Sequence, residues 1–348
     1  MLKTIFWSLL GLVVALAMLS GVFVEQFLGP AATPGKEVVV LIRPGTTLPA
    51  AAHQLEAAGA IKNAYAFMGL AKVTNAITGV HAGIRAGEFQ LHSGWSPREI
   101  LRVITTTGGI LHKVVVREGL PWWEVSKLYE AEGLTDRASF ERALHDATLL
   151  QKYGIPGASA EGFLFPETYQ LSRSFDNGGP AIVEAMLKEG GRQMQKLWPA
   201  GPPSPEELKR LVTLASLVER ETGDAAERAR IAGVFVNRLR TGMRLQCDPT
   251  TIYGLGPSFD GDLRRSNLED GANPYNTYAH AGLPPGPICS PGLEALRAAL
   301  HPEDHEFIYF VAKGDGSHQF SRTLDEHNRA VTQFQRHRDK DNYRSTKR

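Results

Sequence analysis

The sequence predicts an α+β protein behind an amino-terminal transmembrane helix. Three observations predict it. Ile5–Val24 (IFWSLLGLVVALAMLSGVFV) carries no charge, and about 20 such residues cross a bilayer as a helix. From Glu37 onward, short β-branched runs alternate with stretches of helical spacing. A long capped helix, Ser204–Glu221, then opens a carboxyl half whose loops are rich in Asn, Tyr, Pro and Gly.

The chain has 348 residues, enough for two or three domains at roughly 100–200 residues each. Hydrophobic residues make up 43% and charged residues 22%, so most of it can fold around cores. Its 38 basic and 37 acidic residues give a net charge of +1. That balance leaves no electrostatic footprint for nucleic acid. It suits a substrate bound by shape and hydrogen bonds. Cys247 and Cys289 make neither a disulfide framework nor a zinc ribbon. They are two buried thiols or, in an oxidising compartment, one disulfide. The 11 histidines show no His-Glu-x-x-His spacing, and there is no Gly-rich phosphate loop or Gly-x-Ser-x-Gly elbow. No metal and no cofactor is expected.

Residues 1–4 read as a cytoplasmic end, 5–25 as the transmembrane helix and 26–36 as a linker. Lys3 precedes the apolar run and Trp7 marks one interface. A cleaved signal peptide is the competing reading, but its apolar region is usually about 7–15 residues. The longer run favours an uncleaved, single-pass anchor in the cytoplasmic (inner) membrane, with the rest of the chain outside the cytoplasm.

Residues 37–110 read as a small α+β module. Val38–Ile42 is a strand, Leu48–Ala60 has helical spacing, and Gly87–Leu91 is a second strand. Ser96-Pro-Arg-Glu then starts a helix with Ser at the N-cap and Glu99 at N3. A strand at Lys113–Val116 and a helix over Val125–Tyr129 repeat the pattern in a connecting region, 111–157. This loose repetition is in the style of carbohydrate-binding LysM domains. A plain spacer accounts for the same residues equally well.

Ser159–Leu171 (SAEGFLFPETYQL) crowds aromatics, Gly and Pro into a loop or strand. Ser204 caps the long helix, with Pro205 at N1 and Glu207 closing a capping box. Leu208, Leu211, Val212, Leu214, Ala215, Leu217 and Val218 form its apolar face. It ends at Glu219-Arg-Glu221-Thr222-Gly223, where Gly223 suits a C-cap. Two carboxyls therefore lie in the last turn of a largely buried helix. The partial negative charge of a helix C-terminus and partial burial both raise a carboxyl pKa. A general acid near neutral pH needs that. The helical wheel does not choose between Glu219 and Glu221.

A helix over Ala226–Leu239 follows, carrying Asn237 near its end. Leu245–Gly256 (LQCDPTTIYGLG) reads as a polar loop with Asp248, Thr250 and Tyr253. Asn273–Gly292 is too rich in Pro, Gly and Asn for regular structure. Its Asn276, Thr277 and Tyr278 match sugar hydroxyls, acetamido groups and pyranose faces. Loops that merely cap a core, with Asp248 as an ordinary turn residue before Pro249, remain the alternative. Glu306–Ala312 and His318–Phe320 form a hairpin, Thr323 caps a helix over Leu324–Arg336, and 337–348 is a charged tail.

The runs LASLVERET, VFVNRL, MRLQCDPTTIYGLG, PYNTYAHAGLPPGPI and GSHQFSRTLDEHN resemble the YceG-like endolytic murein transglycosylases. The likeness extends over nearly the whole chain. It implies an α+β lytic transglycosylase catalytic domain over 158–336. It also implies cleavage within peptidoglycan glycan strands of the β-1,4 bond between N-acetylmuramic acid and N-acetylglucosamine, leaving 1,6-anhydro ends. Within the motif Ala-Ser-x-x-Glu-x-Glu-Thr, the resemblance selects Glu221 as the catalytic residue. It implies substrate positioning by Thr222, Asn237, Asp248, Tyr253, Asn276, Thr277 and Tyr278, and peptidoglycan synthases as further partners. A hydrolysing muramidase with Asp248 as second carboxylate, and a non-catalytic glycan-binding scaffold, are the rival readings.

Overall fold

The computed structural model describes residues 25–78, 83–173 and 178–336, together with Trp7, Gly11, Val14, Ala15, Met18, Gly21 and Val22. The chain forms two compact units, one of residues 1–112 and 170–175, the other of 113–169 and 176–348.

In the first unit, β1 (Glu37–Ile42) is followed by helices α1 (Leu48–Ala57) and α2 (Ala64–Thr78), then β2 (Gly87–His92) and α3 (Pro97–Thr106). β1 and β2 pair antiparallel, from Glu37 opposite His92 to Ile42 opposite Gly87. Alternation along β1 sends Val38, Val40 and Ile42 inward. They meet Leu55, Phe67, Phe89, Ile100 and Ile104 in one core. Ser96 and Glu99 cap α3 reciprocally, as its residue pattern requires. The carboxylate of Glu88, on β2, bonds the His112 ring at 2.7 Å and lies 3.3 Å from Arg173.

The second unit is mostly helical. It holds β3 (His112–Val115) from Lys113 on, α4 (Trp122–Ala131), α5 (Arg137–Leu144), α6 (Ala147–Lys152), the first two residues of β4 (Thr168–Leu171), α7 (Gly179–Leu197), α8 (Pro205–Glu221) and α9 (Arg228–Arg240). These are followed by α10 (Asp248–Leu255), α11 (Arg265–Glu269), α12 (Leu293–Leu300), a β5–β6 hairpin (Tyr309–Ala312 and His318–Ser321) and α13 (Leu324–Val331). β3 pairs with β4. α8 is the centre of this unit, with α9, α10 and α12 packed against it. Leu208 and every residue from Val212 to Val218 are buried. A helix buried on all sides is a core helix rather than a surface one. The Ser204 hydroxyl accepts the Glu207 N–H, which fixes where α8 begins.

The structure corrects several expectations. Among the described residues no helix is long and apolar enough to cross a membrane. The expected transmembrane helix over 5–25 and the single-pass inner-membrane location are corrected accordingly; most of 5–24 lies outside the described residues. α7 has 19 residues, close to a span in length, but Glu184, Lys188, Glu189, Arg192 and Lys196 punctuate it. A span needs about 20 predominantly apolar residues in succession. The fold class of the described residues is therefore α+β, with no membrane-crossing helix among them. The LysM-like label for 37–110 gains no support, because two strands covered by helices are a packing solution that many functions share. The expected tail, 337–348, lies outside the described residues.

Two local readings also change. Residues 248–255, read as a loop, are helical (α10), with Pro249 in the first turn where its missing N–H costs nothing. α8 ends not on Gly223 but on Thr222, whose backbone is extended at φ −136°.

Gly162 has φ +84°, and a Cβ there would lie 2.4 Å from Pro287 and 2.9 Å from Val212. Both the left-handed backbone and the contact exclude a side chain. Gly162→Ala is expected to lower unfolding free energy by about 3 kcal/mol, read as a fall in the urea midpoint. An unchanged midpoint would mean the turn does not hold this backbone.

Candidate active site

α8 delivers both carboxyls of its last turn, and the chain around them treats the two differently. The side chain of Glu219 is 7% exposed. It accepts the Gly292 N–H at 3.1 Å and lies 3.7 Å from the Arg228 guanidinium. Its carboxyl is raised, by burial first and by the nearby Glu118 charge. Glu219 thus joins α8 to the start of α12 and to α9.

Glu221 remains partly exposed, yet protein surrounds it closely enough that burial is the leading cause raising its carboxyl. The Cys247 thiol hydrogen-bonds it and pulls the other way. The Asp248 charge raises it further, while His318 and Arg238 lower it. The net direction is upward, towards a carboxyl that keeps its proton.

The partners of Glu221 are fixed by hydrogen bonds from distant segments. The Cys247 N–H donates to Thr277 Oγ1 at 3.0 Å, and the Thr250 hydroxyl donates to the Cys247 carbonyl at 2.7 Å. Asp248 is exposed at the start of α10 and accepts the Tyr278 hydroxyl at 2.6 Å. Arg238 is buried, donating to the carbonyls of Ile308 and Leu245, both at 2.6 Å. The buried His318 Nδ1 lies 2.7 Å from Glu227, whose other oxygen accepts the His318 N–H at 3.0 Å. Cys247 and Cys289 are both free and buried.

The structure brings Glu221, Asp248 and Tyr278 together. It places the other candidate side chains in the scaffold around them. Thr222 is buried and accepts the Asp224 N–H at 3.0 Å. The Asn237 amide donates to the carbonyls of His305 and Phe307 at 2.7 and 3.1 Å. The Asn276 amide nitrogen donates to the carbonyls of Asn267, Leu268 and Asp270, and its oxygen accepts from Thr251 and from the Tyr278 N–H. Thr277 holds Cys247.

Tyr253 lies at the other end of α10. Its hydroxyl donates to Glu161 at 3.2 Å, and its ring centre is 5.0 Å from Trp123 and 4.7 Å from Tyr275. Glu161 was not among the sequence candidates. Its sequence signal is a charge inside an aromatic and apolar run, SAEGFLFP. It is 3% exposed and also accepts the N–H groups of Trp122 (3.0 Å) and Gly162 (3.1 Å). Burial pushes its carboxyl up to about 7, against those three hydrogen bonds. Arg238 and the Glu227–His318 pair were also not among the candidates, although VFVNRL carries Arg238 and GSHQFSR carries His318.

Fold and site together define a class: α+β proteins that hold a desolvated glutamate at the end of a buried helix, beside Asp and Tyr side chains. The profile of the YceG-like family matches residues 40–333. This chain belongs to that family. It is 31% identical over 326 residues to an endolytic murein transglycosylase of Bacillus subtilis (strain 168), over 89% of this chain and 88% of that protein. It is 26% identical over 328 residues to the protein of the same name from Streptococcus pneumoniae serotype 2 (strain D39 / NCTC 7466). That match takes in 86% of this chain but spans only 58% of the pneumococcal protein. A crystal structure of a YceG-like protein from Listeria monocytogenes superposes with a TM-score of 0.56 at 28% identity, covering 84% of this chain and 98% of that one.

Glu161 makes stability depend on pH. Its folded pKa of about 7 lies above the ordinary value of 4.5. The folded state therefore holds its proton where the unfolded state has released it. The stabilisation is complete below about pH 4.5 and is lost as pH rises through about 7. Glu161→Gln removes this dependence. From pH 5 to pH 8 the variant should gain on wild type by about 3 kcal/mol, measured by paired urea unfolding. A constant difference between the two proteins would refute the elevated pKa.

Proposed function

We infer that this chain is an endolytic murein transglycosylase, a lyase that cuts within peptidoglycan glycan strands. Family membership and relatives of that name along most of the chain support the class of reaction. The observation that carries the mechanism is Glu221, a partly exposed residue whose desolvated carboxyl has a raised pKa, at the end of a buried helix.

Glu221 is the acid and then the base. Protonated, it gives its proton to the glycosidic oxygen between N-acetylmuramic acid and N-acetylglucosamine as the C1–O bond breaks. The carboxylate so formed takes the proton of the muramyl 6-hydroxyl while that oxygen bonds C1. The proton count closes, no water enters, and the product carries a 1,6-anhydro end. One carboxyl serves both steps, whereas most glycosidases use two. The raised pKa makes the first step available near neutral pH. Arg238 places positive charge near the carboxylate present between the steps.

Asp248 and Tyr278, beside the acid, position the substrate. Thr222, Asn237, Asn276 and Thr277 serve by shaping the cleft, and Tyr253 contributes a ring at its far end. Asp248 also supports a second reading, in which it activates water and the enzyme hydrolyses the same bond.

Glu221→Gln is expected to lower the cutting rate by roughly 10³-fold or more, measured on purified glycan strands by mass spectrometry. Wild-type products should be lighter by one water than reducing ends. Full-rate cutting by the Gln variant would refute the role of Glu221, and products of full mass would establish hydrolysis.

A further inference from the structure

An enzyme that cuts inside a strand holds saccharides on both sides of the broken bond. The Glu221 end of α8 supplies the reacting groups. The structure carries a second cluster close by, built on Glu161, that takes no part in the chemical steps and of which only Tyr253 has been given a role above. Tyr253 follows Asp248 by five residues on α10, and Ser216 precedes Glu221 by five on α8. Cys289 bonds the Ser216 carbonyl, and its surroundings include the Glu161 charge. Asp248 acts on Glu221 at one end of this helix pair, and at the other the Ser216 carbonyl holds Cys289, which interacts with Glu161 and Tyr253. The two ends are about 7.5 Å apart along each helix, at 1.5 Å rise per residue.

At the far end stand three partly exposed rings: Trp123, Tyr253 and Tyr275. Trp123 and Tyr253 are tilted by 35° at 5.0 Å, and Tyr253 and Tyr275 by 53° at 4.7 Å. Trp122, next in the chain, is engaged by the Arg137 guanidinium at 5.4 Å and lies edge-on to Trp123. Behind the wall, Glu161 joins the first turn of α4, through the Trp122 N–H, to Tyr253 on α10. An apolar side chain could fill the same space without the cost of burying a carboxyl. What the carboxyl adds is a fixed orientation for rings drawn from three distant segments.

We propose that Trp123, Tyr253 and Tyr275 form a saccharide subsite flanking the Glu221 cleft, with Glu161 as the positioning residue that holds its rings. The occupant is a pyranose of the same strand, its C–H face laid on the aromatic faces. This rests on the transglycosylase reading above.

The test is binding, which does not depend on cutting. The Glu221→Gln protein is titrated by calorimetry with peptide-free strands of alternating N-acetylglucosamine and N-acetylmuramic acid, and tryptophan fluorescence is followed in parallel. Saturable binding with a spectral shift is expected. Trp123→Leu or Tyr275→Leu, in the same background, keeps apolar volume but removes a ring, and should weaken binding about tenfold. Trp123→Phe should restore affinity to within about threefold of the parent. Glu161→Gln keeps one oxygen for the Trp122 and Tyr253 donors and loses only the bond from the Gly162 N–H, so it should also stay within about threefold, and Glu161→Leu should lose as much as Trp123→Leu. Folding of each variant is checked by circular dichroism. If a Leu variant fails to fold, the fluorescence shift of the unmodified wall decides. Equal affinity across the ring variants, or no shift at saturation, overturns the subsite whatever the cutting assay gives. Absence of anhydro products from wild type overturns the transglycosylase reading alone.

Discussion

The second unit depends on the burial of α8. Seven successive residues, Val212–Val218, are shut from solvent by α9, α10 and α12. A helix enclosed in this way cannot shift without repacking three neighbours, because close-packed interiors tolerate little displacement. Its last turn inherits that rigidity. Glu219 and Glu221 stand where the core ends and the polar loops begin, and burial raises both carboxyls. The acidity of the site is thus a consequence of how the unit is packed.

The same enclosure divides labour between the two glutamates. Glu219 is taken up by a main-chain N–H and by Arg228. Glu221 is met by a thiol, a weak partner, and by the charges of Asp248, Arg238 and His318. Spacing two residues apart on a helix carries them to different sides, and tertiary structure gives each side its chemistry. A wheel drawn from sequence alone contains the angle but not the neighbours.

How much could be read in advance follows from this. Ser204, Ser96 and Thr323 announce helix starts through local residue patterns, and all three caps are present. The alternation of Val38, Val40 and Ile42 shows the inner face of β1 in the same way. Residues 248–255 were misread because Asp-Pro-Thr-Thr favours turns locally, while packing on α8 makes a helix. The role of Glu161 was hidden for another reason. Two of its three donors come from residues 39 positions before it and 92 after it, so nothing in its own segment tells how it is held. The Asn and Thr side chains of the 273–292 loop look like sugar-binding groups by type. Yet the Asn276 amide is saturated by protein partners, and only coordinates could show where those bonds go.

The site also has a mechanical side. Glu221 hangs from α8, whereas Cys247 and Asp248 belong to the start of α10, anchored to the 273–292 loop through Thr277 and Tyr278. The acid and the charge that strengthens its hold on the proton are thus carried by two separate bodies. Coulomb energy between them varies inversely with their separation. A slide of one residue between the helices would displace Asp248 by about 1.5 Å, enough to change the field on the carboxyl. Proton affinity at Glu221 is therefore a gauge of helix register. A change of register between α8 and α10 would be felt at the acid as a change in strength.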